Sequence, residues 1–323
     1  MKKLAPYLAA VLNATLVGLS FLFTKVAIEE TSVEETLAYR FIIAWIVLSI
    51  LMKVMPKKDS TITNQNKKGN ILALILLAVF YPTLFFSFQA FGLNYTSSAE
   101  GGIVMAFSPA LTALFAAFFL KERINLTQFA FILISISGVI YIFYMSGVNV
   151  DFSKNQIMGF TYLLISAISI SGYTVIARFL SVSYTPIKLT FIMVTFGMVY
   201  FNLYVIVKKA IQGNLLSYFK LLTNMEFIGA VIFLGVFATM LTSFLSNYVL
   251  TKITASKMSI FSNLSTVISI FSGAIFLQEE IRYYHLFGSA MIIIGVLGTN
   301  FYKSKHKTFQ NKFVLGQSVI SKD

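Results

Sequence analysis

The sequence predicts an all-α integral membrane protein of ten transmembrane helices, arranged as two inverted five-helix repeats around a central cavity. Three observations carry this prediction. Charged residues vanish from the chain in ten long blocks, the remaining positive charge gathers in one set of connecting loops, and the chain matches itself at a fixed offset.

The blocks come first. No Asp, Glu, Lys or Arg occurs in Leu4–Thr24, Phe41–Met52, Gly69–Ala99, Gly101–Leu120, Ile124–Val150, Asn155–Ala177, Leu189–Val207, Phe227–Thr251, Met258–Gln278 or Tyr283–Tyr302. A surface helix of a soluble domain keeps a polar face, so its charges recur every turn or two. A helix apolar on all sides for about 20 residues crosses a hydrocarbon core about 30 Å thick. The chain is 57% hydrophobic and 11% charged, against roughly 25% charged in a soluble domain. Ten crossings leave no room for a separate soluble domain. The net charge of +13 lies in short loops and forms no stripe or groove, which argues against a nucleic-acid partner. With no Cys, disulfides, iron–sulfur clusters and thiol catalysis are excluded. Met1-Lys2-Lys3 opens like a signal peptide, but the apolar run outlasts the roughly 7–15 residues of such a segment and ends without a small-x-small site, so no cleavage is expected.

Orientation follows from the loops. With the N-terminus inside, segments 1–3, 53–70, 121–125, 178–188, 252–257 and 303–323 are cytoplasmic and hold most of the 25 Lys and Arg. The opposite loops hold Lys154, Lys208, Lys209, Lys220 and Arg282, and the first external turn, Glu29 to Glu35, is purely acidic. This bias puts both termini in the cytoplasm of a multi-pass protein of the cell membrane. A short interfacial helix is expected near Leu215–Leu222. The tail 303–323 is basic and is expected to lie near anionic headgroups.

Sliding the chain by 157 residues aligns 93–139 with 250–296 without a gap, pairing Ser108 with Ser265, Phe119 with Phe276, Leu120 with Leu277, Glu122 with Glu279 and Gly138 with Gly295. Each copy holds five helices. Five is odd, so the second copy crosses the membrane inverted, as in many secondary transporters.

At these residues the chain resembles a known family. The run TSSAEGGIVMAFSPALTALFAAFFLKERINLTQFAFILISISGVI is similar to the fourth and fifth helices of an EamA domain, the building block of the ten-helix drug/metabolite transporter superfamily. Phe21-x-x-x-Lys25 and Tyr39-Arg40-Phe41 resemble its first two helices. The likeness spans one domain at 5–145 and a second at 157–302, followed by the tail 303–323. In the second half Pro109 is replaced by Thr266 and Arg40 by Met193. The resemblance implies a secondary transporter by alternating access, an exporter of small polar metabolites such as amino acids. Sugar phosphates, nucleotide sugars or drugs are alternative cargoes, and a non-transporting membrane subunit or lipid-handling partner is the alternative of another class. The expected partners are a small-molecule substrate and the lipid bilayer, and a homodimer is a further arrangement to consider.

Candidate site residues are the polar groups that an apolar span retains at a cost. Arg40 lies inside its span, where insertion costs about 2.5–3.5 kcal/mol near the centre. With Lys25 at similar depth, it either pairs with the acidic turn or forms an outer cationic vestibule for a substrate carboxylate or phosphate. Asn13, Gln89, Asn247 and Asn263 are amides in apolar helices, suited to interhelical hydrogen bonds or to substrate. Tyr81 and Tyr173 stand near span centres, away from the interfacial belts, and fit an aromatic cavity wall. Pro82 and Pro109 each release the carbonyl four residues earlier, Ala78 and Met105, giving a packing kink or a hinge. Ser108, Thr112 and Ala116, matched by Ser265, Ser269 and Gly273, form small-residue stripes for close helix packing or a polar pathway. Glu100 reads first as a partner for its helix N-terminus. No phosphate-binding glycine loop, mid-membrane carboxylate, metal-ligand cluster or nucleophile–base pair is present. Neither an enzyme nor a cofactor or metal site is therefore expected.

Overall fold

The computed structural model describes residues 4–54, 71–120, 126–148, 154–181, 183–253 and 255–301. Among them every regular element is helical. Helix α1 (Ala5–Glu30) carries Pro6 in its first turn, where the missing N–H has no intrahelical role. Helix α2 (Val33–Val54) opens with Glu34 and Glu35 and closes with Lys53, which suits the helix dipole at both ends. The third span joins α3 (Ile71–Ala78), a π-helical stretch Val79–Leu84 and α4 (Phe85–Leu93). Then follow α5 (Ser98–Met105), α6 (Ser108–Leu120), α7 (Leu126–Val148), α8 (Lys154–Leu180) and α9 (Pro186–Ile211). After the short α10 (Leu215–Lys220) come α11 (Met225–Ile232), a second π-helical stretch Phe233–Leu241 and α12 (Thr242–Lys252). Helices α13 (Ala255–Phe276) and α14 (Tyr283–Phe301) end the description.

Among the described residues, eight segments are long and apolar enough to cross a membrane. The last two helices, α13 and α14, carry the further apolar stretches Leu264–Phe276 and Tyr283–Gly298 among the described residues. The polar linker 55–70, Lys121-Glu122-Arg123 and the basic tail 303–323 lie outside the described residues.

Two prolines act differently from one another. At Pro82 the helix breaks as expected: Tyr81 is extended (φ −147°, ψ 114°), and the freed Ala78 carbonyl accepts the Thr83 hydroxyl at 3.1 Å. Pro109 was expected to kink a continuous fourth helix. Instead that helix stops at Met105, turns through Ala106 and Phe107, and restarts at Ser108. Pro109 thus falls in the first turn of α6, where a missing N–H costs nothing. The second π-helical stretch contains no proline and was not foreseen. It ends at Leu241, which is Leu84 moved by the same 157 residues.

The principal packing joins the two halves of the chain. Helix α1 lies along α13, α2 along α9, α4 along α8 and α7 along α14. Backbones approach closely at small residues: a Cβ on Gly18 would meet the Ser265 carbonyl at 2.7 Å, and one on Gly138 the Gly288 carbonyl at 2.8 Å. In lipid, where apolar side chains gain nothing by leaving the solvent, such approach is what holds helices together.

The acidic turn is closed from the second half. Glu34 pairs with Lys208 at 2.8 Å and Glu35 with Lys209 at 2.7 Å, while Glu30 accepts a hydrogen bond from Asn224. Neither Arg40 nor Lys25 appears among these pairs, which corrects one of the two readings of the turn. Nearby, Tyr218 of α10 stacks on Tyr39 at 4.5 Å and donates to Asn202 at 2.9 Å. Burial, then the neighbouring Tyr39 and Glu35, push the Tyr218 phenol above its ordinary range.

Candidate functional site

A cavity opens between the halves, and its wall is drawn from α1, α2, the third span, α5, α6, α8, the second π-helical stretch, α12 and α13. Of the residues singled out from sequence, Asn13, Arg40, Tyr81, Gln89 and Tyr173 all line it. So do Ser108, Thr112 and Ser265 of the small-residue stripes. The remaining stripe positions pack: a Cβ on Gly102 would lie 2.8 Å from the Ser269 Cβ, and one on Gly273 would lie 2.4 Å from the Ser98 hydroxyl. The side chains of Ala116 and Asn263 lie outside the described residues.

Arg40 is 1% exposed. Its Nε donates to the Thr239 hydroxyl and its Nη2 to the Ala238 carbonyl at 3.0 Å, both in the second π-helical stretch. The guanidinium lies 4.1 Å from the centre of the Phe86 ring, within cation–π range. Among the described residues no carboxylate stands within ion-pair distance of it. Among the described residues of the cavity wall it is the one that carries a charge.

Behind Phe86 the wall is aromatic. Tyr81 stacks on Tyr173 at 4.5 Å and on Phe85 at 5.3 Å. The Tyr81 hydroxyl meets that of Ser243 at 3.1 Å, and Tyr173 donates to Asn247 at 3.2 Å. Asn247 in turn donates to Thr190 at 3.0 Å. Its amide is therefore fully engaged between helices and does not line the cavity, the interhelical reading of the two. Asn13 accepts from Ser246 at 3.3 Å. Gln89 differs from these: it is 2% exposed, lines the cavity, and its amide makes no hydrogen bond to any described side chain or backbone.

Lys25 departs from expectation. It sits half-buried on α1 and is absent from the cavity wall, so the paired outer vestibule of Lys25 and Arg40 does not form. Sequence reasoning also missed Phe85 and Phe86, because aromatic residues in an apolar span carry no signal of which face they occupy.

A second polar cluster closes one end of the helix pair. Ser97 and Glu100 form a capping box at the start of α5: the Glu100 amide donates to the Ser97 hydroxyl at 3.0 Å, and the Ser97 amide to the Glu100 carboxylate at 2.9 Å. The expected helix-dipole partner is thus a full cap. His285 Nε2 stands 3.9 Å from the other Glu100 oxygen. Glu279, beyond the end of α13, reaches the same helix start from the other half of the chain. On the adjoining loop the Glu280 carboxylate holds the Arg282 guanidinium above its ordinary value. No group of three or more metal-ligating side chains occurs among the described residues.

Comparison with known proteins agrees with this architecture. A model of the EamA-like transporter family matches residues 4–144 and 157–301. The uncharacterized transporter YcxC of Bacillus subtilis is 39% identical over 305 residues, spanning 91% of this chain and 92% of that protein. An uncharacterized transporter of Archaeoglobus fulgidus is 27% identical over 299 residues, spanning 92% of this chain and 98% of its own length. One solved crystal structure superposes with a TM-score of 0.55 at 16% identity, over 90% of this chain and 97% of the other, and supports the fold alone.

Proposed function

The chain belongs to the EamA-like transporter family, and from that premise we propose a secondary transporter that carries small polar metabolites, amino acids among them, outward by alternating access. Ten spans form two inverted repeats, with both termini in the cytoplasm. The observation that carries the reading is the cavity itself: it lies between the halves, takes its wall from both, and holds polar groups that the protein does not satisfy.

The packing supports the inverted plan. Arg40 bonds Thr239, which is Pro82 moved by 157 residues, while a Cβ on Gly197, which is Arg40 moved by the same step, would lie 2.8 Å from Pro82. This reciprocity favours Gly197 rather than Met193 as the counterpart of Arg40. The pairings α1 with α13 and α6 with α8 are exchanged by the same operation, and α7 with α14 maps onto itself. Outward direction and the amino-acid class rest on the family.

The test is reconstitution into liposomes with counterflow of labelled amino acids, amines, organic acids and sugar derivatives. Saturable counterflow of one class is the expected result. No flux from any class, with folded protein verified in the vesicles, makes the chain a non-transporting membrane component instead.

A further inference from the structure

We propose that the cavity binds the carboxylate of a monoanionic substrate on Arg40 and Gln89, and lays the apolar body of that substrate against the ring surface of Tyr81, Phe85, Phe86 and Tyr173. The assignment rests on the transport reading and names its substrate class.

The geometry of Arg40 is the first argument. The protein takes the Nε–Nη2 edge of the guanidinium from behind, through Thr239 and Ala238. That leaves the end of the fork, with both Nη1 hydrogens and one on Nη2, without a partner among the described residues. This end presents parallel donors at the spacing of a carboxylate's two oxygens. The face of the guanidinium is covered by Phe86, so the cation is fixed in plane and aimed before any ligand arrives.

Electrostatics are the second. A buried cation without a counter-ion is expensive in a low-dielectric interior. Among the described residues the cavity wall supplies no carboxylate to offset it. A single negative charge brought by the substrate neutralises the site; a dianion over-compensates it, and a cation is repelled. This charge count selects a monoanion over a phosphate ester.

Gln89 is the third, and it is independent of Arg40. Its side chain belongs to a residue only 2% exposed, lines the same cavity and makes no hydrogen bond to any described residue. It lies one helical turn beyond Phe86, on the face that Arg40 covers. An amide that faces the cavity with no protein partner can donate to a ligand oxygen without breaking any bond in the protein. The aromatic wall beside it offers apolar ring surface rather than hydrogen bonds, since the Tyr81 and Tyr173 hydroxyls are engaged with Ser243 and Asn247.

The experiment uses the purified full chain in detergent micelles at pH 7 and four probes that share a phenyl body and differ in head group: 3-phenylpropionate, its isosteric amide, 2-phenylethylamine and phenyl phosphate. Ligand-dependent rise in unfolding temperature gives each affinity. The carboxylate is expected to stabilise saturably, and the amide and the amine to do so at least tenfold more weakly. Arg40→Gln should weaken the carboxylate about 10- to 100-fold, the range for a lost charge-assisted hydrogen bond. Arg40→Lys should recover part of that, since it keeps the charge and loses the fork. Gln89→Met makes no change to protein–protein hydrogen bonds, so it folds independently of the Arg40 variants, and it should weaken the carboxylate about fivefold.

Equal binding of amide and acid, tighter binding of phenyl phosphate, carboxylate binding unchanged in both Arg40→Gln and Gln89→Met, or no binding by any probe overturns the assignment. Counterflow of an amine or a sugar derivative alongside such a result leaves transport standing and removes only the carboxylate site.

Discussion

Glu279 caps the helix that begins at Ser98, from the opposite half of the chain. One carboxylate oxygen accepts the Ser98 amide at 2.7 Å, and the other accepts the Ser98 hydroxyl at 2.9 Å and the Ala99 amide at 3.0 Å. These amides are the orphan donors of a helix N-terminus, where a negative charge is favoured twice, by hydrogen bonding and by the dipole. The contact therefore clasps the two halves together at the start of α5.

Glu279→Ala should open that clasp. The bonds are charge-assisted, worth about 1.5–3 kcal/mol, enough to shift a two-state outward equilibrium more than tenfold. The chain has no Cys, so a single Thr112→Cys in the cavity wall reports access without background. A membrane-impermeant maleimide added outside should label it several-fold faster when Glu279 is Ala, with Glu279→Gln in between. Unchanged labelling would mean that the contact is only a helix cap.

Thr83 and Ala78 make a second specific prediction. Pro82 removes the hydrogen bond that the Ala78 carbonyl would receive, and the Thr83 hydroxyl replaces it. Thr83→Val keeps the shape and deletes the donor, leaving the carbonyl unsatisfied in an apolar setting, at a cost of about 1–2 kcal/mol. Thr161→Val is the control, because the Thr161 hydroxyl bonds a carbonyl on its own regular turn. Thermal unfolding in detergent should fall for the first variant and stay within error for the second.

The charge-free blocks made the fold class and most spans legible, because a membrane span is selected by the cost of burying charge, which composition records directly. The individual site residues were legible as types, since an Arg, an amide or a proline inside such a block demands a reason. Their partners were not. Whether Arg40 or Lys25 faces the cavity depends on helix rotation, and spans apolar on all sides carry no phase. Glu279 lies in a loop, and nothing local says that its carboxylate meets a helix start more than half the chain away. The break before Pro109 was misplaced because proline marks both kinks and helix starts, and the π-helical stretch at Phe233–Leu241 has no proline to mark it.

Orientation is open to direct measurement on the same Cys-free background. Single Cys residues at Lys53 and Arg282 should be labelled from opposite sides of intact cells, Arg282→Cys by an impermeant reagent and Lys53→Cys only after permeabilisation. Labelling of both from one side would remove the inverted-repeat plan, because these positions are separated by an odd number of spans in it.

Gly102 and Ser269 give the last prediction, on what holds the halves together. Helices α5 and α13 meet here so closely that a Cβ on Gly102 would sit 1.7 Å from the Ser269 hydroxyl oxygen and 2.8 Å from its Cβ. Beside this point the Thr266 hydroxyl donates to the Gly102 carbonyl at 2.9 Å, a bond that only a short interaxial distance permits. Gly102→Ala should separate the helices, lose that bond and destabilise by about 1–3 kcal/mol, the usual range for overpacking. Helix propensity alone predicts the opposite sign, since Ala is favoured over Gly by about 1 kcal/mol. Gly229 isolates that term: a Cβ there meets nothing within 4 Å, and Gly229→Ala should be neutral or stabilising. The double variant Gly102→Ala/Ser269→Gly removes the clashing atoms and should regain most of the loss in thermal unfolding. A Gly102→Ala protein as stable as the parent would show that α5 and α13 are not in contact at this residue.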